Sequence, residues 1–439
     1  MELVFSTLND SCVTAPKGFH AGGVFCDIKR LGTGRGSAKG AKRDLAVLYS
    51  ECDASVAGMF TTNQVSAAPV KVCIQKIQSH IGCAVVANSG NANACTGDQG
   101  IADAKKMAKL TADLLHVGEE KVFVCSTGRI GVQMPMDNIE IGIRSAIQEA
   151  SCNPEQAHHA AEAIMTSDNV KKEVAIEFQL SGKTVRIGGM CKGAGMIQPG
   201  MSPNGQRPVS LPYGPRQLHA TMLGFLTTDA SIAPEILQIA LERAVAGSFN
   251  RISVDGDMST NDTVLAFANG LAGNTTITSV DAEDFKTFQS ALHYVCLTLA
   301  KKMVHDGEGV SRFITLKLKG ARTMEDADYA VRSVANSALV KTSWCGGDPN
   351  WGRILDALGY SAAYVDENKV DLAYSLPGCD DLTYVLKNGQ PVDVPLSTVR
   401  KITEQKEFDL HIFLNVGDVE TTFFTADLTE EYVDFNKGE

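Results

Sequence analysis

Val174-Ala175-Ile176-Glu177-Phe178-Gln179-Leu180 alternates in polarity, Ser181-Gly182-Lys183 turns the chain, and Thr184-Val185-Arg186-Ile187 returns. That is the pattern of an antiparallel hairpin, because strand side chains face opposite sides with period two. Upstream, Cys83–Ala87 is an apolar run that ends in a polar loop, Asn88–Asn93. The next segment, from about Ile101 to His116, puts Met107, Leu110 and Leu114 on one helical face and ends at Gly118. A second strand, Val122–Cys125, runs into Ser126-Thr127-Gly128. Downstream, Asp281–Val304 reads as a helix whose stripe is Phe285, Phe288, Leu292, Val295, Leu299 and Met303, with Gly307 to end it. Strands and helices mix without a regular βαβ repeat and without an internal repeat. This predicts a layered α+β fold rather than a doubly wound parallel sheet.

The chain has 439 residues, enough for two or three structural units. Hydrophobic residues make up 44% and charged residues 21%, the composition of a folded globular chain. No run approaches the roughly 18 apolar residues of a membrane helix. Forty Lys+Arg against 51 Asp+Glu leave a net charge of −11, which argues against nucleic-acid and anionic-membrane partners. The twelve cysteines show neither CxxC pairs nor zinc spacing with histidine, and read as reduced, mostly buried thiols. The N-terminus lacks the basic and apolar regions of a secretory signal, so cytoplasm is the expected location. Residues 32–40 (GTGRGSAKG) fail the P-loop pattern and read as a surface turn. Residues 202–219 hold four of the 14 prolines and read as an extended loop.

HExxH, GxSxG, Walker and EF-hand patterns are absent. His158-His159, on adjacent helical positions, read as solvated surface rather than a metal site. What remains is two Gly-rich turns at strand ends, Cys191–Pro199 and Ala220–Asp229. A threonine behind a small residue serves as a nucleophile if the chain is cut before it. Its new α-amine, with an ordinary pKa of about 7.7–8.0, then acts as the local base. Pattern alone does not favour that over a β-forming or capping threonine.

Ten ordered stretches resemble the glutamate N-acetyltransferase (ornithine acetyltransferase) family of arginine biosynthesis, over nearly the whole chain. They are Val13–Phe19, Asn88–Gly97 (NSGNANACTG), Ser126–Gly128, Ala163–Asp168 (AIMTSD), Lys192–Pro199, Ala220–Asp229, Val254–Thr263 (VDGDMSTNDT), Asp306–Gly309 (DGEG), Asp348–Leu355 (DPNWGRIL) and Asp427–Val433 (DLTEEYV). The fold expected with the resemblance is an α/β/β/α sandwich-like architecture with a smaller C-terminal α/β domain. It implies self-cleavage at Ala220–Thr221, with 1–220 as α chain, 221–320 completing the main domain as the start of the β chain, and 321–439 as a C-terminal domain. Thr221 is then the nucleophile that carries acetyl from N-acetylornithine to glutamate. Thr127 and Gly128 are implied as the oxyanion hole, and Thr166, Lys192, Thr221, Glu308 and Asn436 as substrate contacts. Lys192 suits a substrate carboxylate and Glu308 the amine of ornithine. Glu308 lies just past a helix C-terminus, against the dipole, which favours a functional reason for it. Asn88–Gly97 and Asp255–Thr263 read as structural turns and caps.

No metal or organic cofactor is implied, and the expected assembly is α2β2. The resemblance does not decide whether acetyl-CoA also donates. Two departures stand out. Family members run from Pro-x-Met directly into Ala-Thr-Met-Leu, whereas here Ser202–His219 is interposed between Met201 and Ala220. The segment reads either as a natural exposed loop or as an unremoved intron, and it can slacken the peptide that self-cleavage strains. Family members also extend beyond the Asn436 position to a substrate-touching Thr or Ser, so with the chain ending at Glu439 one contact is expected to be missing. Two alternatives stay open: an uncut, impaired homologue, and an N-terminal-nucleophile amidase or aminopeptidase.

Overall fold

The structure, a computed structural model, describes residues 5–33, 42–207 and 222–437. The hairpin forms between Lys172–Leu180 and Lys183–Lys192, in register from Lys172↔Cys191 to Leu180↔Lys183. It belongs to a ten-stranded main sheet. Leu223–Thr228 lies in the middle of that sheet, antiparallel to Lys183–Lys192 and parallel to Thr263–Ala268. Beyond it comes the 17-residue strand Leu45–Thr61. Its later part, from Ser55 to Phe60, pairs with Thr263–Ala268, and its earlier part, from Leu45 to Tyr49, with Ile81–Asn91. The register breaks between Tyr49 and Ala54, so one long strand joins two halves of the sheet. Val122–Arg129 closes the far edge, parallel to Ile81–Asn91.

Period-two alternation sorts the side chains into layers. Leu223, Phe225, Leu265 and Phe267 share a core with Val85, Ala87, Phe123 and Cys125 from the other half. Phe123 meets Phe267 edge-on at 6.0 Å between centroids. Residues on the opposite faces point outward. Leu226, Val264 and Ala266 pack under the helices Pro234–Ala246 and Glu283–His305. Ala84, Val86, Val122 and Val124 pack under Gly97–Leu115 and Met136–Glu149. The result is helix, sheet, sheet, helix, the α/β/β/α order expected.

A second sheet of seven strands follows, centred on Phe313–Ala321, which is parallel to Glu407–Phe413 and antiparallel to Val419–Ala426. Helices including Met324–Asn336, Ala338–Cys345 and Trp351–Gly359 cover it around a core of Leu316, Leu410, Ile412 and the fully buried Trp344. Ile252–Ser253 adds to this sheet parallel to Val419–Ala426, which pins the segment leading into Asp255–Thr263.

The Glu283–His305 helix buries the whole expected stripe, and Glu283, Asp284 and Lys302 complement its dipole at the two ends. Three local readings change. Residues 88–91 continue the strand Ile81–Asn91 instead of forming a loop, because the asparagine side chains find buried partners. The following helix begins at Gly97 and is ended by His116 in the left-handed conformation, not by Gly118. His158 is only partly solvated: its side chain is 34% exposed and its Nδ1 lies 2.8 Å from Glu173, a carboxylate only 9% exposed. Seven of the twelve cysteines are buried, and none is bonded to another. Residues 34–40 of the Gly-rich stretch and 208–219 of the interposed one lie outside the described residues. The latter stretch leaves the main sheet at Met201–Ser202, paired with Phe60 and Thr61. Among the described residues no helix is long and apolar enough to cross a membrane.

Phe225 is fully buried between the two sheet layers. Phe225→Ala should therefore cost about 3–5 kcal/mol, read as a lowered urea midpoint. Ile141→Ala, at a side chain 64% exposed, should stay within about 0.5 kcal/mol of the parent.

Candidate functional site

The first wall of the site is the end of Val122–Arg129. Ser89 pairs with Thr127 and Gly90 with Gly128 across the parallel ladder. Gly128 has φ +130°, and a Cβ there would lie 2.4 Å from the carbonyl carbon of Gly90, so only glycine fits. Side-chain amides fix this bend. Ser126 Oγ donates to Asn88 Oδ1 at 2.6 Å, and Asn88 Nδ2 donates to Asn91 O at 2.8 Å. Asn261 Nδ2 donates to both Ala92 O and Ser126 O at 2.7 Å. The two stretches read as structural do have that role around Thr127 and Gly128.

The second wall is Lys192, at the end of its strand and in register with Leu223. Its Nζ donates to Thr166 Oγ1 at 2.7 Å and to Thr127 Oγ1 at 3.2 Å. The structure thus brings three of the expected residues, Thr127, Thr166 and Lys192, onto one point. Lys192 is 2% exposed. Burial pulls it below the usual lysine value, and Asp168 opposes that.

Asp168 was not among the expected site residues. Its oxygens accept from Gly193 N at 2.7 Å, Thr166 N at 3.0 Å and Lys172 Nζ at 2.6 Å. Lys172 Nζ also donates to Asp306 at 2.5 Å, and Asp306 accepts from the backbone of Asn169 and Val170. Burial alone would raise the Asp168 carboxyl, but Lys192, Lys172 and the Gly193 N–H hold it below the usual range. Lys172 is raised in turn: burial works against it, and the two carboxylates win.

Glu308 and Asn436 form a second cluster, with Asn436 Nδ2 donating to Glu308 Oε2 at 3.5 Å. Glu308 N donates to Ala194 O at 2.9 Å, which ties it to the Lys192 loop. A Cβ on Gly195 would lie 2.4 Å from the Glu308 carboxyl, so that glycine makes room for the acid. Burial raises Glu308 above its usual value. Asp255 holds the same loop by accepting from Met196 N at 2.5 Å and Ile197 N at 2.8 Å.

Ala220 and Thr221 lie outside the described residues. The next residue, Met222, is held at both ends: its N donates to Asp262 Oδ1 at 2.7 Å, and its O accepts from Thr263 N. Asp262 is fully buried, burial raises it well above the usual carboxylate value, and its Oδ2 has no hydrogen-bond partner among the described residues. Asp168, Lys172, Asp262 and Asp306 are the residues that sequence reasoning missed. Asp168 closes one quoted stretch, Asp262 is the last residue but one of another, and Asp306 opens a third. Lys172, however, meets Asp306 across 134 residues of chain, and no local pattern reports such a pair.

The sequence model of the ArgJ family matches residues 28–438. The "Arginine biosynthesis bifunctional protein ArgJ" of Symbiobacterium thermophilum is 44% identical over 424 residues, covering 97% of each chain. The "Glutamate N-acetyltransferase" of Methanocaldococcus jannaschii is 43% identical, covering 97% of this chain and 98% of that protein. A crystal structure of ornithine acetyltransferase complexed with ornithine, from Mycobacterium tuberculosis, is 39% identical over 45% of this chain and all 100% of that one, with a TM-score of 0.41.

Lys172 and Asp168 are 0% exposed, and Asp306 is 7% exposed. Lys172→Met leaves both carboxylates buried without their shared cation, which should remove about 3–5 kcal/mol of stability. Urea denaturation at neutral pH measures this, and a loss under 1 kcal/mol would contradict it.

Proposed function

The chain belongs to the ArgJ family, and from that premise we propose that it moves the acetyl group of N2-acetylornithine to glutamate through an ester on Thr221. The products are ornithine and N-acetylglutamate, in arginine biosynthesis. The observation that carries the reading is the meeting of Lys192 with Thr127 and Thr166 beside Leu223, two residues past Thr221. Thr127 and Lys192, from separate strands, meet Thr166 beside the start of the central strand Leu223–Thr228.

In this reading the precursor is cut at Ala220–Thr221, and the new α-amine of Thr221 takes the proton from its own hydroxyl. The hydroxyl oxygen attacks the acetyl carbonyl, and the negative oxygen of the tetrahedral intermediate rests on Thr127 and the Gly128 N–H. Collapse breaks the C–N bond, the α-ammonium returns its proton to the leaving nitrogen, and ornithine departs. Glutamate's amine then attacks the ester and restores the Thr221 hydroxyl. The cycle needs no outside redox partner or cofactor. Glu308 and Asn436 are assigned to the amino-acid substrate, with Glu308 facing the ornithine amine.

Several relatives are named bifunctional, and acetyl-CoA as a second donor is part of the proposal. So are a cytoplasmic location and an α2β2 assembly of the processed pieces. Full-length similarity to glutamate N-acetyltransferases favours this reading over an amidase, which would have no use for a glutamate acceptor.

On a denaturing gel the purified protein should run as two fragments of nearly equal length, the smaller beginning at Thr221 by N-terminal sequencing. Thr221→Ala should run as one chain and lose transfer from N-acetylornithine to glutamate by more than about 10⁴-fold, the scale of losing a nucleophile. An uncut protein with full transfer activity would refute the nucleophile assignment.

A further inference from the structure

Lys192 holds two hydroxyl groups at once, Thr166 Oγ1 at 2.7 Å and Thr127 Oγ1 at 3.2 Å. An ammonium group has donors and no acceptor. Both threonine oxygens must therefore accept from the lysine, and each hydroxyl hydrogen is left to point somewhere else. We propose that Lys192 is a positioning residue acting through Thr127: by donating to Oγ1 it turns the hydroxyl hydrogen toward the substrate oxygen, so the oxyanion donor is set before substrate binds. Asp168 is the counter-ion that keeps this lysine an ammonium. The inference rests on the acetyl-transfer reading and adds a role to Lys192 beyond contact with a substrate carboxylate.

Three features support it. Thr127 is fully buried, so solvent does not compete to reorient its hydroxyl. Its backbone is fixed by the ladder to Ser89 and Gly90 and by Asn261 on the preceding carbonyl, which leaves the hydroxyl rotor as the freedom still to be removed. A donor aimed in advance contributes most to a charge that appears only in the transition state, because nothing must reorganise when it forms.

The charged groups acting on Lys192 are Asp168, Lys172, Glu308 and Asp262. Burial and Lys172 push it toward the neutral amine, and the three carboxyl groups push the other way. A neutral lysine has a lone pair and can accept from Thr127, which would draw the hydrogen back and remove the oxyanion donor. Activity should therefore fall as pH rises through the Lys192 value. Asp168→Asn removes a charge that raises that value, so the alkaline limb should move to lower pH.

The test is a mutant cycle on the processed enzyme, with initial rates of acetyl transfer expressed per cleaved chain counted on a gel. Lys192→Met and Thr127→Val should each lower kcat by on the order of 10²-fold. The double variant should be no slower than the worse single within about threefold, because the lysine has nothing left to orient. In a Thr127→Ser background, which keeps the hydroxyl, Lys192→Met should again cost its full factor. Losses that multiply in the valine background, or a Lys192→Met enzyme with raised KM and unchanged kcat, would overturn the proposal. An alkaline limb unmoved in Asp168→Asn would overturn the counter-ion role, and Lys172→Gln, which should shift the limb to higher pH, gives the opposite sign if Asp168→Asn fails to fold. A wild-type protein without transfer activity would overturn the acetyl-transfer reading itself, whereas an active one with multiplying losses overturns this inference alone.

Discussion

The ammonium group of Lys172, held between Asp168 and Asp306, is the interaction on which the site depends. Each of these ions costs several kcal/mol to take out of water, and a buried pair seldom recovers more than it loses. Here two cations, Lys172 and Lys192, stand beside two carboxylates, so the cluster is neutral as a whole. The carboxylates use their other lone pairs on the backbone N–H groups of Thr166, Asn169, Val170 and Gly193. The cluster thus fastens three separate segments, 166–172, 192–193 and 306, at one point. Hydrophobic side chains of equal volume could hold the segments together, but they could not also aim four backbone groups.

A different device supports the opposite wall. Asn88, Ser126 and Asn261 are neutral, buried and satisfied by one another and by main-chain carbonyls. Such a network gives directional rigidity without a net charge, which under the proposed acetyl transfer suits the place where negative charge would develop on the substrate. An acid in this position would oppose the reaction. Lys192 hydrogen-bonds across both walls, through Thr127 on one and Thr166 on the other. Both walls sit at strand ends, where the sheet fixes the backbone and leaves the side chains free to converge.

Which parts were legible in the sequence follows from the range of the forces involved. The Lys172–Lys192 hairpin and the Glu283–His305 helix are written in local periodicity, and both were readable without any relative. The extension of the Ile81 strand through Asn91 was not, because Asn-Ser-Gly-Asn has the composition of a turn and becomes strand only through distant partners such as Ser126, Val132 and Ala163. Glu308 was the exception at the site: an acid behind a helix C-terminus is locally disfavoured, and it proves to lie half-buried beside Asn436. Thr127, Thr166 and Lys192 came only from family resemblance. Lys172 had no signal, since one lysine opening an alternating strand looks like any solvated strand end.

The topology also bears on how a chain could be cut ahead of Met222 and remain one molecule. Residues upstream supply Lys183–Lys192 and Leu45–Thr61, and residues downstream supply Leu223–Thr228 and Thr263–Ala268. In the sheet the two downstream strands, paired with each other, lie between the two upstream ones, with Lys183–Lys192 bonded to Leu223–Thr228, and Thr263–Ala268 bonded to Leu45–Thr61. Each piece therefore carries two strands whose edges are filled by the other, and the inner core draws on both. Separation would expose that core and two rows of unpaired backbone groups, so breaking one peptide bond removes a tether without opening the sheet. The same arrangement holds Met222 from downstream, through Asp262 and Thr263. Under the proposed cleavage the downstream piece is thus anchored by its own residues from Met222 onward.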